Sequence, residues 1–183
     1  MTKTRIVIAA KAMTREGIPM IQCAQCAQYF HRDCLKCLPK PLLFGDIFME
    51  FTCSVCTKTE EKYVRHSMAW ITVVQLVLYN LMRRQDPDTD YPKDRDHKYF
   101  RWKEDLCAFI DDYWEYLHPG KQKSATWHNT IASVLSTNSS IFLSGFEKFQ
   151  QPGDAAWWTL KDYSPPAKSK SYVCQFPYHI RRC

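Results

Sequence analysis

Glycine is scarce in this chain: there are five in 183 residues, and they form no glycine-rich turn of the kind that cradles a phosphate. There is no strained Gly-x-Ser-x-Gly elbow to expose a nucleophile, and no pair of carboxylates stands in a recognisable acid–base setting. Catalysis and a small-molecule substrate are therefore not expected. No apolar run approaches the ~18 residues of a membrane span, so no membrane partner is expected either. A secretory signal is not visible, and the nine cysteines are an odd number, which argues against a disulfide framework.

The middle of the chain also lacks positive charge. Lys and Arg exceed Asp and Glu by 4 in residues 1–66 and by 4 in residues 164–183, but fall short by 2 in residues 67–163. The formal charge of +6 thus sits at the two ends, and does not describe a basic nucleic-acid-binding domain.

Cysteine, by contrast, is patterned. Cys23-Ala24-Gln25-Cys26 and Cys53-Ser54-Val55-Cys56 are two Cys-x-x-Cys pairs. Each makes a tight knuckle that points two thiolates at one ion, and two knuckles complete the tetrahedral set of a structural zinc. Large apolar residues in this stretch are few, Phe30, Leu35, Leu42, Leu43, Phe44 and Phe51 among them. Metal binding is therefore expected to supply folding energy. Packed free cysteines are the plainer alternative.

Residues 1–17 read as a poorly ordered lead-in with the charge bias, but not the clear amphipathic face, of a mitochondrial presequence. Gly17-Ile18-Pro19-Met20-Ile21-Gln22 reads as a turn and a short strand entering the first knuckle. From Ser67 the period becomes helical: Trp70, Val73, Val74, Val77, Leu78 and Leu81 form one stripe on a helix capped by Ser67 and ending near Arg84. Asp86 to Asp96 is an acidic loop without the Gly and final Glu of a calcium-binding loop. A short strand at 99–102 precedes a second helix with Leu106, Phe109, Ile110, Tyr113, Trp114 and Leu117 inward. A third helix, capped by Thr126, turns Trp127, Ile131, Val134 and Leu135 inward. Strands around 141–146 and 156–160 flank a turn at 151–154. Helix, strand, helix, helix and hairpin is the order of a winged helix. Its third helix would be the recognition helix, with Asn129 able to pair with adenine and His128, Lys121 and Lys123 near phosphates. Its exposed face carries no Lys or Arg, so DNA binding is expected to be weak and salt-sensitive, and protein docking is the alternative.

The run Ile21-Gln22-Cys23-x-x-Cys26-x-x-Tyr29-Phe30-His31-x-x-Cys34-Leu35, followed by Phe51-x-Cys53-x-x-Cys56, resembles the second half of a PHD finger. That resemblance implies one zinc on Cys23, Cys26, Cys53 and Cys56, and leaves His31 and Cys34 as half of a second site. The cysteine pair that would complete it is missing, since residues 1–22 hold no Cys or His. A one-zinc finger and a chain lacking its first ligands both remain open. Tyr29 stands where methyl-lysine readers place a cage aromatic, which makes a histone-tail reader one alternative and simple packing another. His31-x-x-Cys34-x-x-Cys37 also matches the central run of a RING finger, and so a ubiquitin ligase, but Cys26 lies too early to supply that motif's preceding ligand.

Phe100 to Asp111, Thr126 to Ala132, and Trp157-Trp158 before Pro165-Pro166 resemble the N-terminal region of the cysteine-rich-protein-two-binding family. More broadly they resemble the atypical PHD and winged-helix module of the "absent, small or homeotic discs two" methyltransferase subunit. The resemblance spans about residues 18–166. It implies an α+β chain with a PHD-like finger at 18–66, a winged helix at 67–166 and a flexible basic tail at 167–183. The implied role is that of a nuclear, non-catalytic part of a histone-modifying complex, with its subunits, duplex DNA or a histone tail as partners. The first family's acetyltransferase domain lies further along its chain, and only 17 residues follow Pro166 here.

Overall fold

The α2 helix, Trp70–Arg83, is the spine of the structure because both of its sides are apolar. A computed structural model describes residues 20–83, 98–146, 149 and 157–167. The lead-in at 1–17, the acidic loop from Asp86 to Asp96, the turn at 151–154 and the tail beyond 167 lie outside the described residues.

Two antiparallel hairpins come first. Strands β1 (Met20–Gln22) and β2 (Tyr29–His31) pair with Ile21 opposite Phe30. A 3-10 turn follows at Arg32–Cys34. Strands β3 (Met49–Thr52) and β4 (Lys62–Arg65) pair with Phe51 opposite Tyr63, and a one-turn helix α1 (Ser54–Thr57) lies between them. A parallel bridge from Cys23 to Phe51 ties the hairpins together.

The C-terminal part is a winged helix. Its three-stranded sheet has the order β5 (Phe100–Arg101), β7 (Trp157–Leu160), β6 (Phe142–Ser144), all antiparallel. Helix α2 packs on α5 (Trp127–Thr137), on β7 and on a π-helical turn at Trp102–Cys107. The π turn runs into α3 (Ala108–Asp112), Tyr113 breaks the helix, and α4 (Trp114–Leu117) completes it. The second expected helix is thus three short pieces. Tyr116, on the same face as Phe109 and Tyr113, is fully buried, and the expected Leu106, Phe109, Ile110, Tyr113, Trp114 and Leu117 are buried with it.

Two expected caps differ. Helix α2 begins at Trp70, with the Ala69 carbonyl accepting from Thr72 and Val73, so Ser67 is an exposed residue before the helix. Thr126 precedes α5 but makes no side-chain capping bond, and its carbonyl accepts from Asn129.

The core is continuous across both parts. Leu42, Leu43, Phe48 and Met49 from the cysteine-rich part join Val73, Val74, Leu76, Val77 and Leu78 of α2 in one buried cluster with Ile110, Ile131 and Leu135. Helix α2 therefore buries Leu76 and Asn80 beyond the expected single stripe. The four cysteines have a separate, much smaller cluster of Cys23, Phe51 and Cys53, against which Phe30 lies edge-on to Phe51 at 5.2 Å.

Candidate metal centre and winged-helix face

Both knuckles are hairpin turns, and this local geometry aims the sulfurs. The Ala27 N–H donates to the Cys23 carbonyl, and Ala27 takes a left-handed backbone with φ 57°. The second knuckle repeats the device: Cys56 and Thr57 donate to the Cys53 carbonyl, and Lys58 is left-handed with φ 58°. The sulfurs of Cys23, Cys26, Cys53 and Cys56 all lie within 4.8 Å of one another. Cys23 and Cys56 are separated by 3.9 Å, Cys26 and Cys53 by 3.8 Å. A tetrahedron with Zn–S bonds of ~2.3 Å has edges of ~3.8 Å, so these two pairs match it and the whole set, within 4.8 Å, could close on such an ion with a small contraction.

Their electrostatics fit the same use. Burial would raise the Cys23 thiol, but N–H groups of Cys26, Cys53 and Gln25 and the Cys26 side chain outweigh it and bring it down to about 6. The crowding sulfur of Cys53, then burial, pushes Cys56 up to about 12. One thiolate is thus prepared, and Cys56 needs a cation to ionise beside it. Among the described residues, no other group of three or more His, Cys, Asp or Glu converges in this way. His31 sits in β2 opposite Met20 and Cys34 is exposed, and neither joins the four. Tyr29 is half-buried on β2.

The structure places Lys121 and Lys123 on the turn before α5, and His128 and Asn129 in its first turn. Lys121 and Asn129 are exposed. The Lys123 ammonium is held by Asp111 and lies 5.4 Å from the Trp114 ring. His128 stacks on Trp127 at 3.9 Å. The face thus offers one unengaged lysine, an exposed amide and a half-buried imidazole.

Sequence reasoning missed the polar seam that joins the two parts. Asp46 and Arg65, from the cysteine-rich part, form an ion pair at 2.8 Å with side chains 0% and 3% exposed. Tyr116 of α4 donates its hydroxyl to Asp46 at 2.7 Å and accepts the Leu43 N–H at 3.1 Å, and its carbonyl accepts Arg65 Nε at 3.1 Å. Asn80 accepts the Phe44 N–H at 2.8 Å and donates to the Phe44 carbonyl at 3.0 Å. Asn80 is one of three uncharged polar residues in the apolar α2, with Thr72 and Gln75, so the sequence does not single it out.

Two thiolate-bearing hairpins fused through this seam to a helix-and-wing domain define a PHD-like finger with a winged helix. The chain belongs to the family described as Set1/Ash2 histone methyltransferase complex subunit ASH2-like, WH, whose model matches residues 66–162. It is 38% identical over 147 residues to the human "Cysteine-rich protein 2-binding protein", covering 75% of this chain and 17% of that protein. It is 36% identical over 134 residues to the human "Metal-response element-binding transcription factor 2", covering 71% of this chain and 21% of that protein. The chain therefore spans about a fifth of the length of these curated relatives. The solved structure "PHD2 and winged-helix domain of Polycomblike" matches with a TM-score of 0.57 and 25% identity, over 90% of this chain and 84% of that one.

Proposed function

We propose that this chain is a non-catalytic, zinc-dependent module of a nuclear histone-modifying complex, giving assembly contacts and weak contact to duplex DNA. Zinc on Cys23, Cys26, Cys53 and Cys56 would be structural: all four protein positions are filled by thiolates, which leaves no open site for a reacting water. The reading treats residues 18–66 as the finger and 67–166 as the winged helix. The observation that carries it is the seam, which holds a finger with little core of its own against the domain that defines the family. The family's description as a histone methyltransferase complex subunit, and a transcription factor among the relatives, support the chromatin setting.

For DNA, the exposed Lys121 is the strongest phosphate candidate, while Asp111 already offsets Lys123. Lys121→Ala should lower the salt slope of duplex binding by about one unit, and Lys123→Ala by less. Asn129→Ala should alter sequence preference only if it reads a base. Duplex affinity unchanged by all three substitutions would overturn the DNA part and leave assembly contacts alone. Purification from nuclei without any histone-modifying subunit would overturn the whole reading.

A further inference from the structure

After β7 the chain crosses back over the seam as a strap. The Lys161 N–H donates to the Ile141 carbonyl at 2.8 Å, which fixes the start of the strap beside β6. The Tyr163 ring then stands 5.2 Å from that of Tyr79 on α2, and Arg83 donates a hydrogen bond to its hydroxyl. Pro165 closes on Gly45 of the finger so tightly that a Cβ on that glycine would lie 2.3 Å from the proline Cβ. Pro166 is buried. Between these anchors Ser164 is exposed, in backbone that belongs to no helix or strand, and its N–H donates to the Asp162 carbonyl at 2.8 Å. Of the ten prolines in the chain, Pro165 alone follows a Ser or Thr.

We propose that Ser164 is a phosphorylation site for a proline-directed serine/threonine protein kinase, and that it becomes a substrate when the strap lifts from Gly45 and Tyr79. Two features select this class of enzyme. Pro165 has no N–H, so an apolar pocket that encloses it strands no donor, whereas any other residue there would bury one. A residue before proline is also held extended, and both Ser164 and Pro165 precede a proline, so the run already has the form a kinase groove takes. While seated, the strap withholds the residues such a groove must grip: Pro165 faces Gly45 and the Tyr163 ring lies on Tyr79. The rate of modification therefore follows the fraction of chains whose strap is open. In the reaction, Ser164 Oγ attacks the γ-phosphorus of ATP; the Oγ–P bond forms, the bond to ADP breaks, and the hydroxyl proton passes to the kinase's catalytic carboxylate. The product sets a charge of about −1.5 to −2 one residue from Tyr163, the residue that latches the strap to α2. The inference stands on the geometry of the strap, whichever complex the chain serves.

The test is incubation of the zinc-loaded full chain with a purified proline-directed kinase of the cyclin-dependent class and magnesium ATP, with the phosphate located and timed by mass spectrometry. A free peptide of residues 160–170 supplies the rate without a strap. Phosphate is expected on Ser164 of the full chain, about fivefold or more slowly than on the peptide, and Pro165→Ala in the peptide should slow it at least about tenfold. Gly45→Ala, whose added Cβ pushes Pro165 off its seat, should speed modification of the full chain by about fivefold or more, towards the peptide's rate. Tyr79→Leu, checked for an unchanged melting temperature, loosens the strap at Tyr163 and gives a second test if Gly45→Ala disturbs the fold. No phosphate on Ser164 of the chain, a chain rate equal to or above the peptide's, indifference of the peptide to Pro165→Ala, or unchanged rates in both strap variants would overturn the assignment.

Discussion

Replacing Asp46 with Ala should be among the most damaging single changes outside the cysteines. The carboxylate accepts Arg65 Nη1 on both oxygens, at 2.8 and 2.9 Å, as well as the Phe48 N–H at 3.0 Å and the Tyr116 hydroxyl at 2.7 Å. Burial, then the Asp46 charge, pushes the Tyr116 hydroxyl well above its usual range, so it remains a donor at any working pH. Without Asp46, the Arg65 guanidinium keeps only carbonyls and the face of Tyr116 at 4.5 Å. Breaking a buried pair from one side costs about 3–5 kcal/mol, because the remaining charge is left without its counter-ion. At roughly 2–4 °C per kcal/mol for a chain of this size, the melting temperature should fall by about 6–20 °C. Urea and thermal unfolding followed by far-UV circular dichroism would measure it. Asp46→Leu combined with Arg65→Met should recover most of the loss, since removing both charges avoids the stranded ion. A loss below about 1 kcal/mol in Asp46→Ala, or a double variant no more stable than the single one, would refute the reasoning.

The remaining predictions concern the metal, pH and the seam's backbone. One zinc per chain is expected by elemental analysis, with Cys53→Ala losing it and unfolding the finger; a second zinc, lost in Cys34→Ala, would reject the one-zinc reading. His118 is buried against Trp70 and Trp114, and burial, then Lys121 and Arg65, brings it down to about 4 from 6.5. The unfolded chain therefore takes up this proton first on acidification, so stability is whole above pH 6.5 and falls towards pH 4, by up to about 3 kcal/mol. That slope should be absent in His118→Phe, and its persistence there would assign it to another group. Gly45 has φ +74°, and a Cβ there would meet Pro165 Cβ at 2.3 Å. Gly45→Ala should cost more than the ~1–2 kcal/mol of the left-handed backbone alone, with Pro165→Gly restoring only the steric part, as equilibrium unfolding would measure.

What the sequence discloses depends on the range of the interactions. Cys23 with Cys26, and Cys53 with Cys56, are local signals because each knuckle closes within one turn. The inward stripes of α2 and α5 are legible for the same reason: helical period relates neighbours three and four apart. The Tyr113 break is not, since the apolar spacing of residues 106–117 suits one continuous helix. Asp46, Arg65 and Tyr116 meet only after the chain has folded, and nothing near any of them forecasts its partners. The second buried side of α2 was hidden likewise, because a stripe in sequence does not say how many surfaces will cover the helix. Of the winged-helix residues expected near phosphates, Lys123 was read as a free cation because Asp111 lies 12 positions earlier, outside any local pattern.

The central claim is that zinc holds a finger whose burial is shared with the winged helix, so that the two behave as one unit. The most direct measurement is thermal unfolding of the helical signal before and after zinc is removed with a chelator, in parallel with zinc release during heating. The account predicts one cooperative transition in which zinc and helicity are lost together, and a lower melting temperature for α2 and α5 once the metal is gone. A helical transition of the same midpoint and sharpness after chelation would contradict it, and would make the finger an independent domain that merely adjoins the winged helix.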